Sequence, residues 1–268
     1  MNKKVRMYGL TIGVVFVLIW AQFGRIVEPY NPFQTNMMNQ SLPPSLRHLC
    51  GTDNLGRDVF SRILEGAHIS LYTALLIVTI SFLLGTCFGI LSGFLGGMLD
   101  ALFVKITLIF QAFPSFILAI AVAGILGPGL VNGVISLCAV YWTTYAKLSR
   151  SLVLTLKEEP YIKAARVCGA TKFAIAVRYL LPNCISVLVV TAALDVGNVI
   201  ISMAGLSFLG LGAQRPTSEW GVMMSEAKNY IQMSPWMMIT PGIALLCVVL
   251  IFNLWADTLR DVVEEHAG

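Results

Sequence analysis

Residues 160–169 read Pro160-Tyr161-Ile162-Lys163-Ala164-Ala165-Arg166-Val167-Cys168-Gly169, and eleven residues separate Gly169 from Leu181-Pro182. This stretch is a polar island between the fourth and fifth long apolar runs of the chain. Pro160 suits a first helical position, where its missing N–H would be unpaired anyway, and Glu158 and Glu159 put negative charge at the positive end of the helix dipole. The local chemistry predicts a short helix from Pro160 to about Val167. Gly169 is placed to end it in the left-handed conformation, Thr171 to cap a second helix through its hydroxyl, and Pro182 to mark entry into the next apolar run. The expected product is a bent helix pair between two membrane spans. Spacing alone leaves open whether that loop docks another protein or is a basic loop resting on the membrane surface.

Working outward, the composition fixes the class. With 57% hydrophobic residues, 12% charged residues and a mean hydropathy of +0.78 over 268 residues, the chain is far more apolar than a soluble domain of that length. It reads as an all-α, polytopic membrane protein with a single transmembrane domain over 1–268. Six spans of roughly 20 residues, the length a hydrocarbon core requires, are expected near 8–27, 69–96, 106–127, 130–147, 184–205 and 237–256. The core spans thus cover about 69–256, and a polar loop of about 148–183 projects between the fourth and fifth. The first run follows Lys3, Lys4 and Arg6 like a signal peptide, but Gly24-Arg25-Ile26 offers no small-x-small cleavage site, so it is read as a retained span.

Lys and Arg set the orientation. With the N-terminus inside, the inner segments carry Lys3, Lys4, Arg6, Lys105, Lys147, Arg150, Lys157, Lys163, Arg166, Lys172, Arg178 and Arg260. The outer ones carry Arg25, Arg47, Arg57, Arg62, Arg215 and Lys228, so the 18 basic residues divide twelve to six. Both termini and the 148–183 loop are therefore expected on the cytoplasmic side. The net charge of +4 concerns this orientation and not nucleic acid, since no basic patch interleaved with aromatics occurs.

Several chemistries are absent from the sequence. The six cysteines, at 50, 87, 138, 168, 184 and 247, form no Cys-x-x-Cys pair and indicate neither a disulfide framework nor a zinc site. There is no Gly-x-x-x-x-Gly-Lys-Ser/Thr loop and no nucleophile elbow, so neither catalysis nor ATP binding is expected of this chain. His48, His68 and His266 are too few and too separated for a metal cage, and the paired methionines read as packing residues. Gly85, Gly89, Gly93 and Gly97 recur every four residues and are expected to form a close-approach face. Pro114 is expected to bend the third span beside Gln111.

The fifth span holds the costliest residue. Asp195 lies near the middle of an otherwise uncharged run, and Thr191, Asp195, Asn198 and Ser202 share one helix face by spacing. The stripe reads as a pathway lining that offers oxygen ligands or a negative field to a cation. The competing reading is a hydrogen-bonding seam between helices.

These residues resemble a family. Ala164-Ala165, three residues, Gly169 and then Leu181-Pro182 is similar to the motif of ATP-binding-cassette importer permeases, in which the short helix docks into a groove on the ATPase subunit. The segment Gly51-Thr52-Asp53-Asn54-Leu55-Gly56-Arg57-Asp58-Val59-Phe60-Ser61-Arg62 followed by Gly66-Ala67 resembles the signature of the dipeptide, oligopeptide and nickel branch. So do Ser207-Phe208-Leu209-Gly210-Leu211-Gly212 and Asp257-Thr258-Leu259-Arg260-Asp261, and the likeness is to the second, C-type permease subunit. The resemblance implies a type I ABC importer permease fold in a bacterial plasma membrane, the inner membrane in a Gram-negative cell. It implies a coupling loop built from Tyr161, Lys163, Ala164, Ala165, Gly169, Leu181 and Pro182. The implied partners are a homologous permease subunit, two ATPase subunits that hold the ATP and Mg, an extracytoplasmic binding protein and membrane lipid. Lys163 stands where the family loop usually has glutamate, and His68 where arginine is common. The 194–231 region, with Met203-Ala204-Gly205 before the Ser207 motif, looks closer to nickel-transporter subunits, with a dipeptide or metallophore importer as the alternative. A secondary transporter or channel, which would need no ATPase, is disfavoured by the Ala164 to Gly169 loop.

Overall fold

The computed structural model describes residues 3–267 and the side chains of 5–263; the side chains of Lys3, Lys4 and His266, used above, lie outside the described residues. The described residues form helices joined by irregular segments, with no strand and one isolated bridge between Thr52 and Asp58. The long helices are α1 (Lys3–Phe23), α2 (Val59–Leu95), α3 (Gly97–Gln111), α4 (Ser115–Leu126) and α5 (Leu130–Leu156). They are followed by α6 (Pro160–Val167), α7 (Lys172–Ile175), α8 (Leu181–Phe208), α9 (Trp220–Ala227) and α10 (Trp236–Ala267).

Four helical stretches are long and apolar enough to cross a membrane: Val5–Ile26, Val59–Leu95, Lys172–Phe208 and Trp236–Val263. The expected count of six is not reproduced. The third expected span, 106–127, is two helices, α3 and α4, meeting at 90° across Ala112–Pro114, and makes a fifth crossing only as a broken span. The cause is Pro114, whose ring pushes the preceding residue out of the helical region, while Pro114 itself is extended at ψ 128°. Helix α5, where the fourth span was expected, has 27 residues but carries Asn132, Ser136, Thr143, Thr144 and Lys147, which lower its apolarity.

Helix α2 packs along α5 through the glycine face. A Cβ on Gly85 would run into the Trp142 carbonyl and one on Gly89 into Ser149 Oγ and the Ala146 carbonyl, while Gly93 lies against Arg150 and Val153. Three of the four expected glycines thus bring two backbones together. Gly97 does not join them: it lies past the end of α2 at φ +65°, with open space where a Cβ would stand. A bidentate ion pair from Arg150 to Asp100, at 2.6 and 2.7 Å, ties the start of α3 to α5.

Residues 27–58 and the 209–235 segment form a cap at one end of the bundle. Its center is an ion-pair network that the motif Gly51 to Arg62 builds with α9. Asp53 Oδ2 accepts from Arg57 at 2.6 Å and Arg62 at 2.7 Å, and Glu226 Oε2 accepts from the same two arginines at 2.8 Å. All four side chains are buried and each charge meets at least two opposite ones, Glu226 meeting Arg215 as well at 3.2 Å, the condition under which a buried ion pair is tolerated. Beside it, His48 Nδ1 meets Asp58 Oδ1 at 2.8 Å under the ring of Tyr30. Trp236 Nε1 donates to the Thr52 carbonyl, fixing α10 to the cap, and Trp220 Nε1 to the Ile63 carbonyl, fixing α9 to α2.

Candidate functional site

Two regions collect the residues singled out in the sequence. The first is a cavity of about 570 Å³ between α4, α5 and α8, lined by Ser115, Phe116, Val140, Tyr141, Thr144, Asp195, Asn198, Ile201, Ser202 and Gly205. The helical spacing brings Asp195, Asn198 and Ser202 to it together. Thr191 is not among them. It bonds back to the Val187 carbonyl at 3.0 Å and lines a separate groove with Leu148, Leu194, Arg260 and Val263. Thr191 falls at the same angle around the helix as the other three but about 6 Å from Asp195 along its axis, one turn toward α7, so its separation from the cavity is axial.

The cavity wall is asymmetric. Phe116, Val140 and Ile201 supply an apolar side, and the tip of the Phe116 ring comes so close to α8 that a Cβ on Gly205 would meet it. The polar side has one carboxylate and no cationic side chain. Ser202 Oγ donates to the Asn198 carbonyl at 2.8 Å and lies 3.1 Å from the Tyr141 hydroxyl. Asp195 Oδ2 is buried with no hydrogen-bond partner, and so is the hydroxyl of its electrostatic neighbour Tyr145. Sequence reasoning missed Tyr141 and Tyr145, since aromatic residues in an apolar helix carry no polar signal; their spacing of four on α5 would have placed both on one face.

The second region is the loop that opens the sequence argument. Helix α6 runs from Pro160 to Val167 as expected, and Thr171 Oγ1 accepts from the Ala174 N–H at 3.1 Å as the predicted cap. Ile162 is its buried residue and anchors it on a cluster of Ile90, Tyr145, Val153, Ile175, Leu180, Cys184 and Leu188. Arg166 stacks over Phe94 of α2 at 5.9 Å. Tyr161, Lys163 and Ala164 are exposed and Ala165 is half-buried. Val167 and Phe173 are 88% and 78% exposed, so the loop presents an uncovered apolar surface. Gly169 sits at φ +83° with open space around it, so conformation and not crowding demands glycine there. Lys163 reaches Glu158 at 3.2 Å, an exposed pair of little energetic weight.

Leu181 and Pro182 stand apart from the exposed α6 turn. Within 148–183, α5 continues to Leu156, α6 spans Pro160–Val167 and α7 starts at Lys172. Leu181 and Pro182 lie in the first turn of α8, directly after a π-turn at Ala176–Leu180.

Comparison with known proteins places this geometry. A family model described as "Binding-protein-dependent transport system inner membrane component" matches residues 85–266. The chain is similar to the dipeptide transport system permease protein DppC of Alkalihalophilus pseudofirmus, 40% identical over 98% of this chain and 86% of that protein. It is also similar to the nickel transport system permease protein NikC of Escherichia coli K12, 38% identical over 89% of this chain and 86% of that protein. Among solved structures, the inward-facing MetNI methionine ABC transporter in its CY5 native crystal form aligns with a TM-score of 0.59 and 21% identity, over 75% of this chain and 95% of that one. The likeness gives the type I ABC importer permease fold. The chain belongs to the binding-protein-dependent transport system inner membrane component family, as a multi-pass permease of the peptide and nickel branch of ABC importers.

Proposed function

We propose that the chain is one of two homologous permease subunits through which an ATP-driven importer moves a positively charged solute. Two ATPase subunits, which bind the ATP and Mg, dock on Tyr161, Lys163, Ala164, Ala165 and the turn at Gly169. A binding protein delivers the solute to the cap, and both termini lie in the cytoplasm. The observation that carries the solute's charge is Asp195: a carboxylate in the membrane with one oxygen unpartnered, in a cavity with no cationic side chain. A carboxylate at bilayer depth is retained where it faces protein or a water-filled path.

Nickel, free or chelated, is the solute first expected. A dipeptide or another solute with a protonated amine is the second reading, and two observations favour it. The wall of Phe116, Val140 and Ile201 suits an organic group, and among the described residues no three His, Cys, Asp or Glu side chains come together as metal ligands. The deciding experiment reconstitutes the permease pair, ATPase subunits and binding protein in liposomes and measures ATP hydrolysis and uptake with nickel and with dipeptides. Solute-dependent ATPase stimulation supports the importer reading. Uptake that proceeds at full rate without ATPase subunits overturns it in favour of a secondary transporter or channel.

A further inference from the structure

Helices α7 and α8 form one continuous helical rod, Lys172–Phe208, that begins at the exposed loop and carries Asp195 in its middle. Its regularity fails at one place. Over Ala176–Leu180 the backbone makes a π-turn, in which the Leu181 N–H bonds to the carbonyl of Ala176. Such a turn holds one residue more than an α-turn and is uncommon outside functional sites. Its origin lies in the next two residues. Pro182 has no N–H to donate, and its ring collides with the carbonyl four residues back, so a regular α-turn is disfavoured just there. Asn183 Nδ2 donates to the Tyr179 carbonyl at 2.6 Å, supplying a partner where the backbone ladder is out of step.

The surroundings of this turn connect both functional regions. Leu180 and Cys184, at its C-terminal edge, are buried in the cluster on which Ile162 anchors α6, and the same cluster contains Tyr145, whose hydroxyl faces Asp195. By contrast Val177, Arg178, Pro182 and Asn183 are exposed, so one side of the turn is held and the other is free to rearrange. Exchange between a π-turn and an α-turn moves the register by one residue, which rotates everything beyond by about 100° or shifts it by about 1.5 Å along the axis. Asp195 lies fifteen residues past Leu180, about 22 Å along the rod.

We infer that Pro182 and Asn183 are positioning residues that make the Ala176–Leu180 turn a hinge, through which movement of the α6 loop re-aims the Asp195 face of α8. The inference rests on the importer reading given above. The Asn183 side chain keeps the Tyr179 carbonyl satisfied through the exchange, which lowers its cost.

The test separates a working hinge from passive accommodation of a proline. Deleting Val177 together with Pro182→Ala converts the turn to regular α-helix while preserving the register at both ends, so the loop and Asp195 keep their resting positions. In reconstituted complexes of matched subunit content, this variant is expected to retain bound ATPase subunits and basal ATP hydrolysis, while solute-stimulated hydrolysis and uptake per complex fall about tenfold, within the usual range of a coupling free energy. Unchanged uptake per complex overturns the hinge and leaves the importer reading intact. Should the deletion prevent assembly, Asn183→Leu decides at an exposed position: uptake that falls with basal hydrolysis unchanged, and returns in Asn183→Gln, supports the hinge, and wild-type uptake in Asn183→Leu overturns it. Failure of the wild-type chain to retain ATPase subunits at all would instead sink the importer reading.

Discussion

Asp195 carries about 2.5–3.5 kcal/mol of insertion cost on translocon-type scales, and its Oδ2 is buried without a hydrogen-bond partner. Asp195→Asn keeps size and hydrogen bonding but removes the charge. Uptake per assembled complex is expected to fall strongly in Asp195→Asn and more weakly in Asn198→Leu, with assembly unchanged in the first. A helix seam requires the reverse, assembly lost before uptake. Glu28 offers a second single-residue test, in the cap. Burial, then the Glu65 carboxylate, push its carboxyl up to about 7 against a weaker opposing pull from Arg25, and its Oε1 is buried without a partner. A carboxyl raised in the folded state stabilises it below the unfolded value of 4.5, and the contribution is lost as pH rises to about 7. Thermal melts of the wild type should therefore lose stability between those two pH values, and Glu28→Gln should flatten that part of the profile. Legibility differs sharply at this scale. Asp195 announced itself because charge in an apolar run has few explanations, whereas the Arg57 and Arg62 network was hidden, since nothing local shows that Glu226 is their partner some 160 residues away.

At the scale of elements, α6 and the start of α7 were readable because the proline and left-handed glycine that bound the first and the threonine that caps the second are local chemistry. The break between α3 and α4 was half readable: Pro114 marks where regularity fails, but the 90° turn depends on what α4 packs against. The glycine face shows the same limit, since periodicity continues through Gly97 while the helix does not. Two outcomes follow. Ala165→Trp, on a helix held by Ile162, should leave insertion intact and reduce bound ATPase subunits, read by co-purification; full binding with normal coupling would remove α6 from the docking surface. Gly89→Leu should destabilise the α2–α5 pair by about 1–3 kcal/mol or more, because the added atoms meet the Ala146 carbonyl, which cannot move as a flexible side chain would. Thermal melting of the purified chain in detergent checks it.

For the whole molecule, the charge bias makes a statement about sidedness that labelling tests. Gly56 is unsuited to a reporter, because a Cβ there would collide with the Asn36 carbonyl. Leu46, 99% exposed in the cap, is suited, and native Cys168 is exposed in the loop. In a chain with the other five cysteines replaced, Leu46→Cys should react with an impermeant thiol reagent in intact cells and Cys168 only after the membrane is opened. The reverse pattern would invert the topology and detach the loop from the cytoplasm.

Helix α2 has a further consequence at this scale. At 37 residues it is about 55 Å long, against a bilayer of about 40–45 Å including headgroups. Its first turns, through Arg62, are clamped into the ion-pair network of the cap, and its far half is locked to α5 at Gly85, Gly89 and Gly93. A rod held at both ends answers a change in acyl-chain length by leaning as one piece, carrying the cap with it. A change in membrane thickness is thereby expected to tilt α2 and the cap together.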